Sequence, residues 1–176
     1  TVLTKYTIVV ISFIMELFKM NYRIVVIFLN FLLLPNILVG QFIEDEYLVT
    51  DVRNNVSWIR CSVGQNWNLE DKTCEGKIVK LNHEEISYAI EQASQQLGGT
   101  WRLPNLEELL SIICETCGPP KVDPKYFPGV SKEAYWTKTP NYFNKKMYWS
   151  VNFFTGHKYS RFFSYQKLPV FLVQDR

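Results

Sequence analysis

The feature that most constrains this 176-residue chain is an almost wholly apolar block over residues 7–39. Within it, Met20 is followed by a short basic region, then by an apolar run, and then by Gly40 as the cleavage position. This order is typical of a secretory signal peptide. We therefore expect residues 1–19 to be an upstream extension, residues 20–40 to be a signal peptide or else a membrane anchor, and residues 41–176 to form a single domain.

All four cysteines follow the apolar block, and an even number of cysteines in an exported chain is typical of disulfides. Four cysteines allow three pairings. We favour Cys61 with Cys74, which would stabilise the fold by about 3 kcal/mol, and Cys114 with Cys117 as a local bridge. A four-cysteine zinc site is the alternative, but the wide first spacing does not match the close ligand pairs of such sites. A redox role for the second pair is disfavoured, because we place it at the negative end of a helix.

Two helices are predicted in the middle of the chain, each by a capping box followed by apolar residues at helical spacing. The first spans residues 81–97, with Asn82 as N-cap and Glu85 as its partner. The second starts at Asn105, with Glu108 as partner, and continues to residues 118–120. The residues expected to face inward are Ile86, Ile90, Ala93 and Leu97 in the first helix and Leu106, Leu109, Leu110 and Ile113 in the second.

Strands are predicted on both sides of the helical region. Alternating or β-branched and aromatic runs indicate strands at residues 47–52 and 56–61 before it and at 135–137, 147–154 and 169–173 after it. Gly156 marks a turn. Helices grouped between strands imply an α+β domain with a small, mostly antiparallel sheet, since βαβ units would alternate the two.

Four motifs occur in a fixed order along this region: residues 60–67 followed by Cys74-Glu75-Gly76, residues 101–109 beginning Trp-Arg-Leu-Pro-Asn, residues 135–140, and residues 149–153 with Gly156. Over roughly residues 56–174, the series resembles the C-terminal domain family of the Lcl (Legionella collagen-like) adhesin. The resemblance implies a C-type-lectin-like α+β fold, disulfide-stapled, in an extracytoplasmic bacterial protein whose relatives include adhesive modules.

The chain differs from the related sequences in two respects. The calcium-dependent lectins use a Glu-Pro-Asn loop and a Trp-Asn-Asp strand, and this chain has neither, so calcium is not implied. The family tends to close on a strand that carries arginines, whereas this chain ends in Phe171-Leu172-Val173-Gln174. The resemblance therefore does not extend to a role for those arginines.

The motif residues are expected to be structural. Trp101 and Leu103 would plug the core, and Pro104 favours an extended entry to the second helix. Arg102 would form a half-buried ion pair with Glu108 or bind a C-terminal carbonyl, with an anion ligand as the alternative. The full structural set is Trp101, Arg102, Leu103, Pro104, Asn105, Glu108, Trp136 and Trp149.

The sequence offers little for catalysis. The two histidines, His83 in a first helical turn and His157 in a hairpin turn, are expected to be solvated. Adjacent glutamates on a helix point about 100° apart and cannot share a proton. We therefore expect no enzyme, no catalytic residue, no cofactor and no metal site. A relation to formylglycine-generating enzymes is the remaining catalytic alternative, and it would need a reactive cysteine that we cannot place.

Charge divides sharply along the chain. Residues 41–133 carry fifteen acidic and nine basic residues, whereas residues 134–176 carry seven basic residues and one acid. Basic side chains among aromatic rings attract polyanions and stack on sugar faces. The predicted ligand-binding residues are Lys138, Tyr142, Lys145, Lys146, Tyr148, Lys158 and Arg161.

We expect an anionic glycan as the partner, since export argues against nucleic acid. The alternatives are pairing of the basic part with the acidic part within one fold, and a structural subunit of an envelope or secretion assembly that contacts an envelope protein. The expected location is the periplasm, the outer surface or the medium. Membrane contact is expected only through the N-terminal segment, if it is not cleaved.

Overall fold

The computed structural model describes residues 40–176 and, before them, Ser12 alone. The chain divides into two units between Val39 and Gly40, and the account below concerns the second. The predicted extension and signal peptide, apart from Ser12 and Gly40, lie outside the described residues. Among those described residues, no helix has the length and apolarity needed to cross a bilayer.

The elements of residues 40–176 are nine strands and two helices. In chain order they are β1 (Phe42–Asp45), β2 (Leu48–Asp51), β3 (Val56–Ile59), β4 (Gln65–Asn68), β5 (Thr73–Gly76), α1 (His83–Leu97), α2 (Leu106–Ser111), β6 (Ala134–Pro140), β7 (Met147–Asn152), β8 (Lys158–Phe163) and β9 (Val173–Asp175). The α+β class with two helices and antiparallel sheets is thus confirmed.

Three antiparallel sheets organise the strands. The first has the order β1-β2-β3-β9, so that the C-terminal strand closes a sheet begun at the start of the domain. The second is the β4–β5 hairpin, and the third has the order β6-β7-β8. Pairing of β9 with β3 joins the C-terminal end of the domain to its N-terminal sheet.

Both helices begin where their capping boxes predict. The side chain of Asn82 accepts hydrogen bonds from the N–H groups of Glu84 and Glu85, and Glu85 accepts one from the Asn82 N–H. Asn105 and Glu108 repeat this reciprocal pair at α2. Each box satisfies backbone donors that the first helical turn leaves free, which fixes the first residue of the helix.

The core forms two apolar clusters. One contains Trp58, Leu109, Val151 and Phe171 and lies among the first sheet, α2 and the strands β7 and β9. The other contains Ile86, Trp101, Leu103 and Trp136 and lies between α1 and β6. Within α1, Ile86 and Ala93 are buried as predicted, but Leu97 is 42% exposed. The helix ends at Leu97, so its final turn extends past the core.

Two sequence-based boundaries are wrong, and four strands were not predicted. The second helix ends at Ser111, not at residues 118–120, because the chain turns there to pair Ile113 with Val122. The last strand begins at Val173, not at residue 169, since Pro169 has no N–H for a regular ladder. The strands β1, β4, β5 and β8 were not predicted, because their residues do not alternate cleanly between buried and exposed positions.

Candidate functional site

Residues 141–146, which connect β6 to β7 and which we call the basic loop, have a fixed backbone. The Oδ1 atom of Asn141 accepts hydrogen bonds from the N–H groups of Phe143 at 2.7 Å and Asn144 at 3.1 Å. The Nδ2 atom of Asn141 donates to the carbonyl oxygen of Ser160 on β8 at 2.8 Å. Such asparagine-to-backbone bonds define a turn. The loop is therefore tied to its neighbouring strand.

Four side chains of the basic loop extend into solvent. Tyr142 is 81% exposed and Phe143 is 93% exposed, and their rings meet edge to face with centroids 5.2 Å apart. Lys145 and Lys146 are also exposed, and the Lys145 Nζ lies 5.7 Å from the centroid of the Tyr142 ring. The loop thus presents aromatic faces and positive charge together, as ligands with apolar faces and anionic groups require.

A neighbouring turn extends this surface. The Ser164 N–H donates to the Lys146 carbonyl oxygen at 2.9 Å. Beyond it, Tyr165 is 71% exposed and stacks on Phe163 with centroids 5.5 Å apart. Neither Phe143 nor Tyr165 was among the predicted ligand-binding residues. The sequence did contain a signal for these two residues: an aromatic side chain in a predicted loop has no core to pack against, so it is expected to be exposed.

Lys158 lies apart from the basic loop, and Arg161 is engaged with a ring on its own strand, β8. Lys158 pairs with Val151, four residues along β7 from the end that adjoins the loop, which corresponds to about 13 Å. The Lys158 Nζ is 5.6 Å from the Trp149 ring centroid, and the Arg161 Cζ is 4.8 Å from that of Tyr159. Each forms its own cation and ring pair. The predicted ligand-binding residues therefore do not converge on one pocket.

Tyr148 is half-buried in an aromatic stack. Its ring lies 3.7 Å from the His83 ring, nearly parallel to it, and the edge of the Trp136 ring meets His83 at 4.6 Å. One face of Tyr148 is thus covered by His83. Burial of the imidazole lowers the pKa of His83 from 6.5 to about 4. The expectation of a solvated His83 is wrong, because β7 folds against the first turn of α1; His157 is exposed.

The basic residues of the C-terminal part are mostly not in ion pairs. Within residues 40–176, only one of the seven, Lys167, has a carboxylate within 4.0 Å, that of Glu85. The lysines of the basic loop have no such neighbour among these residues. Their charge therefore faces solvent, which disfavours the alternative in which the basic and acidic parts neutralise each other.

The sequence pattern of the Lcl C-terminal domain family matches residues 47–174, from just before β2 into β9 and well over half of the chain. The chain belongs to the Lcl C-terminal domain family. Comparisons with curated proteins and with solved structures found no significant match. The resemblance inferred from the four motifs is confirmed, and the match begins at Tyr47, before the boundary of about 56 expected from the sequence.

The Trp-Arg-Leu-Pro-Asn element of this Lcl domain is part of the core. Trp101 is 3% exposed and Leu103 is 5% exposed, and the Trp101 Nε1 donates to the Gly98 carbonyl oxygen at 2.8 Å. The Arg102 N–H donates to the Val173 carbonyl oxygen at 2.8 Å and thereby joins the element to β9. The motif thus connects the end of α1 to the closing strand of the first sheet.

The guanidinium of Arg102 is held between two carboxylates. Its Nη1 and Nη2 atoms donate to Glu108 at 2.9 and 2.8 Å, and its Nε and Nη2 atoms donate to Asp175 at 3.1 and 2.5 Å. The hydrogen bonds to Glu108 and then to Asp175 raise the pKa of Arg102. The expected pair with Glu108 is present. Because the two carboxylates already accept hydrogen bonds from both edges of the guanidinium, no edge is left for an anion ligand, and that alternative is disfavoured.

The carboxylates respond in the opposite direction. Burial of Glu108 opposes ionisation, but hydrogen bonds from Arg102 and from the Asn105 N–H outweigh it, so the pKa of Glu108 is lowered. The hydrogen bond from Arg102 also lowers the pKa of Asp175. Lys138 contributes to both shifts by its charge. It thus lies in the field of these carboxylates, which sets it apart from the basic loop.

All four cysteines of the Lcl domain form disulfides. Cys61 bonds to Cys74 and Cys114 bonds to Cys117, which is the favoured pairing, with Cα atoms 5.5 and 5.3 Å apart. A disulfide sulfur is not a nucleophilic thiolate. In the part of the chain that the structure describes, no cluster of three or more His, Cys, Asp or Glu residues is placed to hold a metal ion.

Proposed function

We propose that the Lcl domain of this chain is a non-catalytic, exported binding module of the bacterial envelope that attaches to anionic glycans through the basic loop. Family membership supports an adhesin-like module. The observation that carries the glycan proposal is the pair of lysines, Lys145 and Lys146, that project beside two exposed rings without a carboxylate partner within residues 40–176.

The chemistry of the basic loop suits a sulfated or uronic-acid polysaccharide. The ammonium groups attract sulfate or carboxylate groups, and Tyr142 and Phe143 offer apolar faces to sugar rings. Single exposed charge contacts contribute little. Affinity would therefore come from several weak contacts along a repeating polymer, which is how a surface without a deep pocket binds.

Disulfide bonding supports the exported location. Disulfides persist in oxidising compartments and are rare in the reducing cytosol. The half-buried Cys114–Cys117 disulfide would be open to a reducing environment, whereas Cys61 of the other disulfide is buried. As part of the same proposal we assign a C-type-lectin-like architecture, supported by the two helices, the antiparallel sheets and the pairing of β3 with the C-terminal strand.

Binding without catalysis is consistent with the side chains present. The four thiols are in disulfides, and His83 is packed between Tyr148 and Trp136, so neither supplies an accessible base or nucleophile. A formylglycine-generating activity would need a reactive cysteine.

Retention of the full chain on immobilised heparin tests the glycan proposal. The variant Lys145→Glu/Lys146→Glu should elute at clearly lower salt than the unmodified chain. The control Lys77→Glu/Lys132→Glu changes two exposed lysines outside the loop and makes the same change in net charge. Equal elution of the two double variants, or weak retention of the unmodified chain, would refute a specific role for the loop.

A second candidate function is a structural subunit that contacts an envelope protein. The adjacent exposed rings of Tyr142 and Phe143 favour it, since aromatic residues of this kind are enriched at the centres of protein interfaces. Phe143→Ala distinguishes the two functions. In a subunit it would abolish co-purification with the partner and leave heparin retention, which the lysines alone would cause, unchanged. In a glycan-binding module it would lower heparin retention, because a ring that contacts the sugar is lost.

A further inference from the structure

A groove of about 490 Å³ lies between α1 and the segment that joins β3 to β4. Its volume falls in the range of small-molecule sites. None of the residues that line it belongs to the basic loop, and none was predicted from the sequence to bind a ligand; Cys61 was predicted only to form a disulfide. The groove is therefore a separate feature of the domain.

One wall of the groove is a face of α1. Ala89 and Ala93, four residues apart, form its base, and their small side chains leave the space open. Gln92 and Gln96, also four residues apart, are exposed and stand along the rim. Leu97 completes this wall, which accounts for a leucine that the core does not cover.

The facing wall is held rigidly. Cys61 ties it to β5 through the disulfide to Cys74. Gly64 has a φ of +94°, and a Cβ there would lie 2.5 Å from the Lys77 carbonyl oxygen, so only glycine fits. The Trp67 ring lies on the guanidinium of Arg60, 4.2 Å from its Cζ.

Arg60 is itself fixed in place beneath that ring. Its guanidinium donates to the carbonyl oxygens of Tyr126 at 3.0 Å and Glu46 at 3.1 Å, and also to that of Lys125. The groove is thus formed before any ligand arrives, which reduces the entropic cost of binding.

The lining of the groove is uncharged and combines apolar surface with amide side chains. Four amide side chains line it, those of Gln65, Asn66, Gln92 and Gln96, and no lining residue carries a formal charge. Within residues 40–176, the buried Gln65 Oε1 and Trp67 Nε1 atoms have no hydrogen-bond partner. Because these two atoms are enclosed, the amides that a ligand can reach are the exposed ones of Asn66, Gln92 and Gln96.

We propose that this groove binds a neutral saccharide. Each amide both donates and accepts hydrogen bonds, as does each sugar hydroxyl. The Tyr47 and Trp67 rings provide surfaces for the apolar face of a pyranose. An anionic sugar would lose hydration here without meeting a cation, so it is disfavoured. This inference does not depend on the basic loop, which would hold a charged polymer at a different surface.

Saturation-transfer NMR with the full chain tests the proposal, with glucose, galactose, mannose and N-acetylglucosamine at millimolar concentrations as probes. At least one probe should bind, and Gln92→Ala/Gln96→Ala should weaken it about tenfold, since two hydrogen-bonding side chains are lost. The control Gln95→Ala removes an amide on the same helix that faces Glu91, away from the groove, and should leave the affinity within about twofold of the original.

Two outcomes would overturn the proposal: no response from any of the four sugars, or equal affinity in the double variant and the original chain. Ala89→Phe gives an independent reading, because its ring would fill the base of the groove and should abolish binding. Lys145→Glu/Lys146→Glu should leave neutral-sugar binding intact. Loss of heparin retention together with intact sugar binding would separate this site from the one in the basic loop.

Discussion

Between about pH 6.5 and 4, the stability of the domain should depend on His83. The imidazole is stacked on Tyr148, meets the edge of Trp136 and has a buried Nε2 without a hydrogen-bond partner in residues 40–176. It also lies in the first turn of α1, where the helix dipole disfavours a cation. Replacing it by Phe preserves an aromatic ring in the stack and removes the titration.

The sign follows from the lowered pKa of His83. Its pKa is 6.5 in the unfolded chain and about 4 in the folded domain, so between these values only the unfolded chain binds the proton. The free energy of unfolding therefore has its full value above pH 6.5 and decreases as the pH falls toward 4, because the proton favours the unfolded chain. With full burial, the loss from pH 7 to pH 5 would be roughly 2 kcal/mol. The ring is only partly buried, so solvent screening reduces our expectation to about 1 kcal/mol.

Urea unfolding followed by tryptophan fluorescence measures this effect at about pH 7 and pH 5. The pH 5 value lies above the range in which the lowered pKa values of Glu85, Glu108 and Asp175 matter. His83→Phe should lose most of the pH dependence, whereas His157→Gln, a change at an exposed turn, should retain it. If His83→Phe shows the same decrease as the original chain, desolvation of His83 does not control this transition.

Two further predictions concern the interactions that close the fold. Glu108→Gln should destabilise the domain by about 2 kcal/mol in urea unfolding, because it leaves a half-buried Arg102 with one carboxylate. Asp175→Asn should cost less than about 1 kcal/mol, because that carboxylate is 73% exposed. Equal losses of stability in the two variants would contradict this ranking. Removing the first disulfide with Cys61→Ala/Cys74→Ala should lower the free energy of unfolding by about 3 kcal/mol, and removing the second with Cys114→Ala/Cys117→Ala by about 2 kcal/mol. The first loss is larger because that disulfide closes the longer loop. Thermal unfolding of both variants checks this order.

The sequence correctly predicts the structural features that depend only on residues close to each other along the chain. Both capping boxes are local, so the starts of α1 and α2 agree with the structure to within a residue or two. The end of α2 depends instead on the pairing of Ile113 with Val122, which involves residues far along the chain. The β4–β5 hairpin likewise lacks an alternating pattern, and the disulfide between Cys61 and Cys74 holds it against β3.

The candidate sites show the same limit. Counting lysines and aromatic residues identifies the basic C-terminal part, but it cannot say that Lys158 lies at the opposite end of β7 from Lys145 and Lys146. The groove is harder to predict, because Gln92 and Gln96 look like ordinary exposed helical residues. They become part of a site only when the segment around Trp67 folds opposite them.

The extended segment 168–173 lies between the groove wall and the sheet that carries the basic loop. It bonds to the groove side through Ile59 and Val63, whose N–H groups donate to the Leu172 and Val170 carbonyl oxygens at 3.0 Å each. On its other side, the Trp136 N–H of β6 donates to the Pro169 carbonyl oxygen at 3.1 Å. No residue of the basic loop lines the groove, so Lys145→Glu/Lys146→Glu changes no groove contact. Their binding energies should therefore add, and a glycan with both charged and neutral units would gain from both sites only if it spans the segment between them.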